Sequence, residues 1–308
     1  MHVRKLSIAV GLVAFSLPTL ANDWPQWRGP DRTDVSKETG LLKAWPANGP
    51  RLLWTCKDAG TGYSGPAVVG NRLYTMGATE TADTVFALDV NTGKRLWTKE
   101  IGKRITLDRG DGPRGTPTVA DDRLYVIGSQ GELTCLDKSG AEKWSVSLVG
   151  DLGGTLQKWG YSESPLVDGN KVICTPGGSK GAIAALDKNT GKVLWQSKEL
   201  KDLAAYSSAI AIDMDGKRQY VQATKSHVVG VAADDGRLLW QSSAAVNGVA
   251  TIPTPIFDNG RIYSSSGYGA GCALLKLVTS NGSVNAEKRT RSIGRSTSCN
   301  CLSAAKDS

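Results

Sequence analysis

Short apolar runs separated by polar turns dominate the chain from about residue 63 to residue 277. Runs such as Arg123–Val126 and Lys171–Cys174 are rich in β-branched and aromatic residues, which favours strands. Beyond residue 21 we find no segment with the 3.6-residue spacing of an amphipathic helix. The pattern therefore predicts an all-β protein made of many short strands.

One motif recurs at nearly constant spacing. Ala87–Trp97 reads Ala-Leu-Asp-Val-Asn-Thr-Gly-Lys-Arg-Leu-Trp, and Ala185–Trp195 repeats it closely. Cys135–Trp144 is one residue shorter in the turn, and Gly230–Trp240 has Ala232 in place of the aspartate. The turn glycines, at positions 93, 140, 191 and 236, are 47, 51 and 45 residues apart. A repeat of this length is typical of stacked units such as propeller blades.

Each recurring residue of the motif has a structural role. The aspartate accepts hydrogen bonds from amides of the following turn, and the glycine supplies a positive φ. The tryptophan packs as a wedge against the adjacent unit. The residues assigned to this motif are Asp89, Gly93, Trp97, Asp137, Gly140, Trp144, Asp187, Gly191, Trp195, Gly236 and Trp240.

A strand opening, usually marked by proline, precedes each motif, because a missing amide is tolerated at the first residues of a strand. These openings are Gly65-Pro66, Thr116-Pro117, Ser164-Pro165, Ser208-Ala209 and Thr254-Pro255. A polar turn and a further strand follow each one. Every unit thus contains four short strands, and the fold class is an all-β propeller of four-stranded blades.

The Ala-x-Asp-x-x-Thr-Gly-Lys-x-x-Trp motif resembles the docking motif of PQQ-type (pyrroloquinoline quinone) β-propeller repeats. Trp24–Pro30 also resembles the start of secreted bacterial members of that family. The resemblance implies a WD40-like ring of seven or eight blades. It also implies two functional classes: quinoprotein alcohol dehydrogenases, which use pyrroloquinoline quinone and Ca²⁺, and non-enzymatic scaffolds of the outer-membrane barrel-assembly machinery.

The repeats are fewer than such a ring needs. Four full units precede a fifth that begins at Thr251 and fades after Leu277, while Arg51–Thr55 resembles the last strand of a blade. We therefore expect an extension over 22–50, repeats over 51–285 and a basic tail without repeats over 286–308. This predicts a propeller that is incomplete at its C-terminus and has an exposed blade edge.

Residues 1–21 have the features of a cleavable export signal. A basic start with Arg4 and Lys5 precedes an apolar run, and small residues end it at Ala21. We expect cleavage after Ala21 and a periplasmic or secreted protein. No later stretch is apolar enough to predict a membrane span.

The formal net charge of +8 is spread among acidic residues once the signal and the tail are set aside, so a nucleic-acid partner is not expected. Of the six cysteines, Cys56, Cys135, Cys174 and Cys272 stand singly in strand-like runs, which argues against a disulfide framework. Cys299 and Cys301 form an unexplained pair in the tail. No metal site is predicted.

Candidate chemistry lies where the inner strands begin, because those segments face the mouth of a propeller channel. The candidate cofactor-binding residues there are Tyr63, Arg114, Trp159, Tyr161, Glu163 and Tyr206. Aromatic rings with a guanidinium suit a planar anion such as a quinone carboxylate. The alternative is that these rings only plug the channel. Glu163 is a candidate Ca²⁺ ligand, although such a site needs several clustered oxygens.

Two functions remain open from the sequence. The first is an exported scaffold that binds a protein or glycan partner on a propeller face. The second is a pyrroloquinoline-quinone-dependent dehydrogenase of alcohols or polyols. The chain has no adjacent Cys-Cys pair and no C-x-x-C-H haem motif, and His227 is its one histidine beyond the signal, so no catalytic residue is assigned.

Overall fold

The computed structural model describes residues 23–108, 110–280 and 283–288, which form twenty strands and no helix. The strands build five separate four-stranded antiparallel sheets, each with its strands in chain order. The all-β class and the four-stranded blades are confirmed. None of the described segments could cross a membrane as an apolar helix. The predicted signal peptide and its cleavage site after Ala21, together with Cys299 and Cys301, lie outside the described residues.

The five blades have the following bounds. Blade 1 contains β1 (Ala67–Val69), β2 (Arg72–Ala78), β3 (Ala82–Asp89) and β4 (Arg95–Lys103). Blade 2 contains β5 (Thr118–Ala120), β6 (Arg123–Ile127), β7 (Glu132–Asp137) and β8 (Glu142–Ser147). Blade 3 contains β9 (Leu166–Asp168), β10 (Lys171–Cys174), β11 (Ala184–Asp187) and β12 (Val193–Gln196). Blade 4 contains β13 (Ile210–Met214), β14 (Lys217–Ala223), β15 (Val228–Ala232) and β16 (Leu238–Ser242). Blade 5 contains β17 (Ile256–Asp258), β18 (Arg261–Ser266), β19 (Gly271–Ser280) and β20 (Ser283–Lys288).

Blade 5 is more complete than the sequence suggested. The prediction that this unit fades after Leu277 is wrong, because β19 and β20 pair from Leu275–Lys288 to Ser280–Ser283. This hairpin lacks the Asp-x-x-Thr-Gly turn, so the repeat motif does not predict it. The expected boundary at residue 285 falls inside β20. Five blades are still fewer than the seven or eight that the family resemblance implies.

The tryptophan of each of the first units docks on the turn of the next blade. The indole N–H of Trp97 donates to Lys138 O at 3.0 Å, and that of Trp144 donates to Lys188 O at 3.0 Å. The indole of Trp195 reaches Ala233 O at 3.1 Å. The three indoles also lie against the turn glycines of the next blade, Gly140, Gly191 and Gly236. Each indole thus adds a directed hydrogen bond to the apolar contact between neighbouring blades.

The turn that receives the indole is built by the aspartate and the glycine. Asp187 Oδ1 accepts from the amides of Asn189 at 3.0 Å and Thr190 at 2.9 Å. The Thr190 hydroxyl bond is the first of the contacts that lower the pKa of Asp187. Gly191 has φ +71°, and a Cβ there would lie 2.8 Å from the Trp144 indole. Glycine is therefore required both by the turn and by the docked ring.

Both ends of the array depart from this pattern. Arg51–Thr55 forms no strand, yet Trp54 docks on the blade 1 turn through Val90 O at 2.8 Å. At the other end, Trp240 donates to Gln219 Oε1 at 2.7 Å within its own blade. Because the hairpin of blade 5 lacks the docking turn, the last tryptophan is satisfied locally.

Residues 23–34, which we call the axial segment, connect the blades along their inner ends. Trp24 exchanges two backbone hydrogen bonds with Val68 of β1, and Pro25 O accepts from Val119 N of β5 at 2.8 Å. Trp27 Nε1 donates to Thr254 Oγ1 at 3.1 Å, just before β17. The segment therefore reaches from the first blade to the fifth.

Arg32 is the buried anchor of the axial segment. Its guanidinium donates to Ala209 O at 2.5 Å, Ser164 O at 2.9 Å and Pro165 O at 2.7 Å. These carbonyls lie where β9 and β13 begin, so one side chain joins blades 3 and 4. Burial lowers the pKa of Arg32 to about 10, which still leaves it charged at neutral pH.

The cysteines follow the expectation only in part. Cys56, Cys135 and Cys174 are free, and the last two are buried in the core. Cys272, on β19, is disulfide-bonded, so the expectation that it stands singly is wrong. Its isolated position in the sequence carried no sign of a pairing, because disulfide partners are set by proximity in space.

Replacing a docked tryptophan should uncouple two blades. We expect Trp144→Ala to lower the free energy of unfolding by about 3–5 kcal/mol, because it empties a buried site and removes one of the two hydrogen bonds that Lys188 O accepts, the other coming from the Tyr125 hydroxyl. Trp45→Ala, at a side chain that is 68% exposed, should change it by less than about 0.5 kcal/mol. Urea titration followed by far-UV circular dichroism measures both. Equal losses in the two variants would contradict the docking role.

Candidate functional site

A cavity of about 530 Å³ opens where the inner strands of all five blades begin. We call it the funnel, and the face that carries it the funnel face. Its walls come mostly from the segments that lead into β1, β5, β9, β13 and β17. The lining residues are Trp27, Tyr63, Arg114, Trp159, Ser162, Ser164, Tyr206, Ser208, Val249, Ala250, Ile252, Thr254 and Tyr268.

Four of the six residues proposed from the sequence meet in the funnel: Tyr63, Arg114, Trp159 and Tyr206. Tyr161 and Glu163 lie outside it and are buried, each 3% exposed. Neighbouring side chains of an extended segment point to opposite sides. Ser162 and Ser164 take the funnel side, so Tyr161 and Glu163 point into the blades.

Arg114 is the only charged residue among those that line the funnel. Its guanidinium carbon lies 4.7 Å from the ring centre of Tyr63, and its Nη2 donates to Gly110 O at 2.8 Å. The ring and the carbonyl hold the guanidinium in place. Its Nε is buried and has no hydrogen-bond partner among the described residues.

Trp159 and Tyr206 form the opposite aromatic wall. Their ring centres lie 5.6 Å apart at 51°, and the Tyr206 hydroxyl accepts from the Trp159 backbone amide at 3.4 Å. Burial raises the pKa of Tyr206 above its ordinary value, although the charge of Arg114 opposes that shift. The indole Nε1 of Trp159 is buried and, within the described part of the chain, unpaired. Arg114 Nε and Trp159 Nε1 are therefore two buried donors without acceptors in residues that line the funnel.

Hydroxyl groups fasten the strand openings beneath the funnel to one another. Ser164 Oγ accepts from Thr116 N at 2.8 Å, and Ser208 Oγ accepts from Ser164 N at 3.0 Å. Each hydroxyl thereby bridges to the preceding blade. A Ser or Thr at the strand opening, as in Ser164-Pro165 and Ser208-Ala209, was the available signal for this contact.

Glu163 links blades 3 and 4 below the funnel. Its carboxylate accepts from Thr175 N at 2.6 Å, Thr175 Oγ1 at 2.9 Å and Gln222 Nε2 at 2.9 Å. Burial raises the pKa of Glu163 to about 7, while the Thr175 hydrogen bonds and the charge of Arg32 oppose the rise. Tyr161 is likewise structural, since its hydroxyl donates to Pro176 O at 2.7 Å.

The sequence analysis missed three residues that shape the funnel. Trp27 lines it from the axial segment, Arg32 fixes the strand openings beneath it, and Tyr268 stands on its rim in the β18–β19 turn. The Trp24–Pro30 motif was the one available signal for Trp27. Nothing in the local sequence indicated Arg32, because the backbone carbonyls that it binds lie more than a hundred residues away.

The rim of the funnel is apolar and exposed. Tyr63 is 59% exposed, Ile252 59% and Tyr268 70%. At the opposite end of the propeller, charged turn residues pair instead, as Lys188 does with Asp121 at 2.7 Å and Arg218 with Asp168 at 2.9 Å. Clustered exposed apolar side chains mark a surface that binds something.

Comparison with known proteins identifies the repeat family. Residues 81–305 match the PQQ_2 family, described as outer membrane protein assembly factor BamB. The chain is 23% identical over 225 residues to the outer membrane protein assembly factor BamB of Shewanella oneidensis, covering 71% of this chain and 52% of that protein. It therefore spans about half the length of that curated relative.

Two further proteins share parts of the chain. A polyvinylalcohol dehydrogenase of Sphingopyxis sp. is 27% identical over 198 residues, which are 57% of this chain and 28% of that protein. The quinohemoprotein alcohol dehydrogenase of Comamonas testosteroni superposes with a TM-score of 0.56 at 18% identity, covering 87% of this chain and 49% of that one. At this level of identity, the likeness shows that the two chains share the propeller fold and nothing further.

The raised pKa of Glu163 makes stability depend on pH. A carboxyl that titrates near 7 when folded and near 4.5 when unfolded favours the fold below pH 4.5 and loses that contribution as pH rises to about 7. We expect this contribution to be about 3 kcal/mol, since one pKa unit corresponds to about 1.4 kcal/mol. Urea unfolding from pH 4.5 to 8 should show the loss in the wild type and in Glu199→Gln, an exposed control. Glu163→Gln should lack it, and an unchanged pH slope in that variant would refute the assignment.

Proposed function

Because the chain belongs to the family described as outer membrane protein assembly factor BamB, we propose that it is an exported scaffold that docks a protein partner on its funnel face. The observation that carries the proposal is the exposed apolar rim around the funnel. Aromatic residues are enriched at protein interfaces, and charged residues are depleted at their centres. The rim has that composition, whereas the opposite end presents paired charges.

A protein partner suits the rim better than a glycan. Val249, Ile252 and Tyr268 offer apolar area, and the lining residues include no carboxylate or amide side chain to accept from sugar hydroxyls. By analogy with the names of the relatives, the partner is a component that assembles outer-membrane proteins. Export to the periplasm, with cleavage after Ala21, belongs to the same proposal.

The partner can be trapped from the rim. A photoreactive p-benzoylphenylalanine in place of Tyr268 should give, on irradiation in the periplasm, one discrete adduct that contains an outer-membrane assembly component. The same group in place of Leu96, which is 46% exposed on β4, should give none. Mass spectrometry identifies the adducts. Identical adducts from both positions, or no adduct from either position, would contradict the docking proposal.

The second candidate function is a quinoprotein dehydrogenase, favoured by the partial match to the polyvinylalcohol dehydrogenase. Tyr63, Arg114, Trp159 and Tyr206 fit a planar cofactor with carboxylates, because they offer aromatic rings and one guanidinium. When bound, such a cofactor would accept the electrons of alcohol oxidation. Tyr161 and Glu163 would support this pocket only indirectly, from within the blades.

The donor set does not fit the Ca²⁺ that such cofactors use. Ca²⁺ takes several oxygen ligands, and both oxygens of Glu163 already accept hydrogen bonds from Thr175 and Gln222. Among the described residues no three His, Cys, Asp or Glu side chains cluster. The residues therefore support the scaffold over the dehydrogenase.

A direct assay separates the two functions. Purified protein supplied with pyrroloquinoline quinone and CaCl₂ should not reduce an electron-accepting dye in the presence of polyvinyl alcohol or ethanol, because none of the carboxylates or histidines that the structure describes lines the funnel to hold the metal or to remove the substrate proton. An active quinoprotein dehydrogenase serves as the positive control. Dye reduction that depends on both the alcohol and the quinone would establish the second function instead.

A further inference from the structure

We propose that Asp83 and Glu132 form a proton-linked latch that fixes the two funnel walls carrying Arg114 and Trp159. One proton held by this buried pair keeps the walls in place, and loss of that proton loosens them. The latch concerns how the walls are held, whatever the funnel docks, so it goes beyond the proposed function.

Ser129, in the turn between β6 and β7, joins both walls. Its Oγ accepts a hydrogen bond from Ile105 N at 3.1 Å, at the start of the loop that leads to Arg114. Its backbone oxygen accepts from Tyr161 N at 2.9 Å, two residues after Trp159. A displacement of Ser129 is therefore transmitted to both walls.

Asp83, near the start of β3 in blade 1, holds Ser129 from across the boundary between the first two blades. Its Oδ2 accepts from Ser129 N at 2.5 Å. The side chain of Asp83 is 0% exposed, and Ser129 is 1% exposed. A hydrogen bond to a buried carboxylate is among the stronger ones in proteins. The position of both walls thus depends on this one acceptor.

A second buried carboxylate, that of Glu132 at the start of β7, lies next to Asp83. Glu132 Oε2 and Asp83 Oδ2 are 3.3 and 3.4 Å from the position that a Cβ of Gly128 would occupy. Asp83 Oδ1 and Glu132 Oε2 are buried and have no hydrogen-bond partner among the described residues. Two enclosed carboxylates with unsatisfied oxygens cannot both remain ionised without a large cost.

A proton is the ligand that this enclosed pair can take. Within the described part of the chain, no third His, Cys, Asp or Glu side chain joins the two carboxylates, so a metal ion would have too few ligands. The nearest cation is Arg104, and its guanidinium is already bound by Asp111 and by Thr79 O. The pair therefore has one negative charge in excess, which a proton removes.

The surroundings of the pair favour its protonated form. Burial raises the pKa of Asp83, although its hydrogen bonds with Ser129 and the charge of Arg104 oppose the rise. Burial likewise raises the pKa of Glu132; the bond to its own amide opposes this rise, and the charge of Asp83 adds to it. Tyr161 is the other titratable group near Glu132, and burial raises its pKa too, which keeps it neutral.

Rising pH should release the latch. A group whose pKa is raised by folding stabilises the fold at low pH and loses that contribution as pH rises through the folded value. Gly128 N donates to Glu132 O at 3.0 Å and so closes the turn that contains Ser129. When both carboxylates are ionised, their repulsion pushes Glu132 toward solvent. The turn then moves with Glu132, and Ser129 N loses its hydrogen bond to Asp83.

Hydrogen–deuterium exchange of the full chain, followed by NMR at pH 5 and pH 8, tests the latch. After correction for intrinsic exchange rates, the amides of Ser129, Ile105 and Tyr161 should be about tenfold less protected at pH 8, the effect of one pKa unit. Amides of β18, in blade 5, serve as the internal reference. Equal protection of the three amides at both pH values would overturn the proposal.

Variants assign the effect to the pair. Glu132→Gln removes one charge at nearly constant shape, and its amide can donate to Asp83, so the three amides should stay protected at pH 8. Asp83→Asn should give the same result and serves if the first variant does not fold. Glu199→Gln, at an exposed residue, should behave as the wild type does. A loss of protection in folded Glu132→Gln equal to that of the wild type would refute the latch.

Glu163 also titrates in this range, so its variant separates the two effects. Glu163→Gln should still lose protection at Ser129 between pH 5 and pH 8, because Glu163 lies between blades 3 and 4. If that loss disappears, the effect belongs to Glu163 and the latch is wrong. Neither outcome affects the cross-linking from Tyr268, so the latch and the docking function are tested separately.

Discussion

The hydrogen bond from a tryptophan indole to a carbonyl of the next blade's turn is the interaction on which the array depends. A four-stranded blade has two faces to bury and cannot bury both alone. The indoles of Trp97, Trp144 and Trp195 cover one such face each and fix the rotation between blades, since the N–H must meet a carbonyl of an aspartate-built turn or its counterpart. The docking turn and the wedge are therefore two halves of one contact, carried by successive repeats.

This contact explains why so much of the fold can be predicted from the sequence. The aspartate, the glycine and the tryptophan act within a few residues or on an identical neighbouring unit, so their spacing is regular and visible. The fifth blade lacks the docking turn. The sequence therefore does not predict its last hairpin, although the strands of that hairpin pair up to Lys288. A strand hairpin leaves a weaker sequence signal than a turn with required residues.

The residues that line the funnel are harder to predict from the sequence, because they lie in segments that do not repeat. Tyr63, Arg114, Trp159 and Tyr206 were found by their position before an inner strand. The same rule also selected Tyr161 and Glu163, which side-chain alternation turns into the blades. In an extended segment alternate side chains face the funnel, and the position of a residue before the strand does not show which of the two sets it belongs to. The docking motif of the blades does not include the side chains that face the funnel, and one fold can carry different sites on such positions.

The axial segment has a consequence for the order in which the protein folds. Neighbouring blades can form from contacts that are close in the chain, but Trp27 meets Thr254 and Arg32 meets Ala209 across most of the sequence. Contacts of such long sequence separation form slowly, since the entropy cost of closing a large loop comes before the contact contributes any stabilisation. In a chain made from its N-terminus, Trp24 and Pro25 can pair with blades 1 and 2 early, but Trp27 has no Thr254 to bind until blade 5 begins. Completing the docking of the axial segment is then the last step, and it converts a row of neighbours into one cooperative unit.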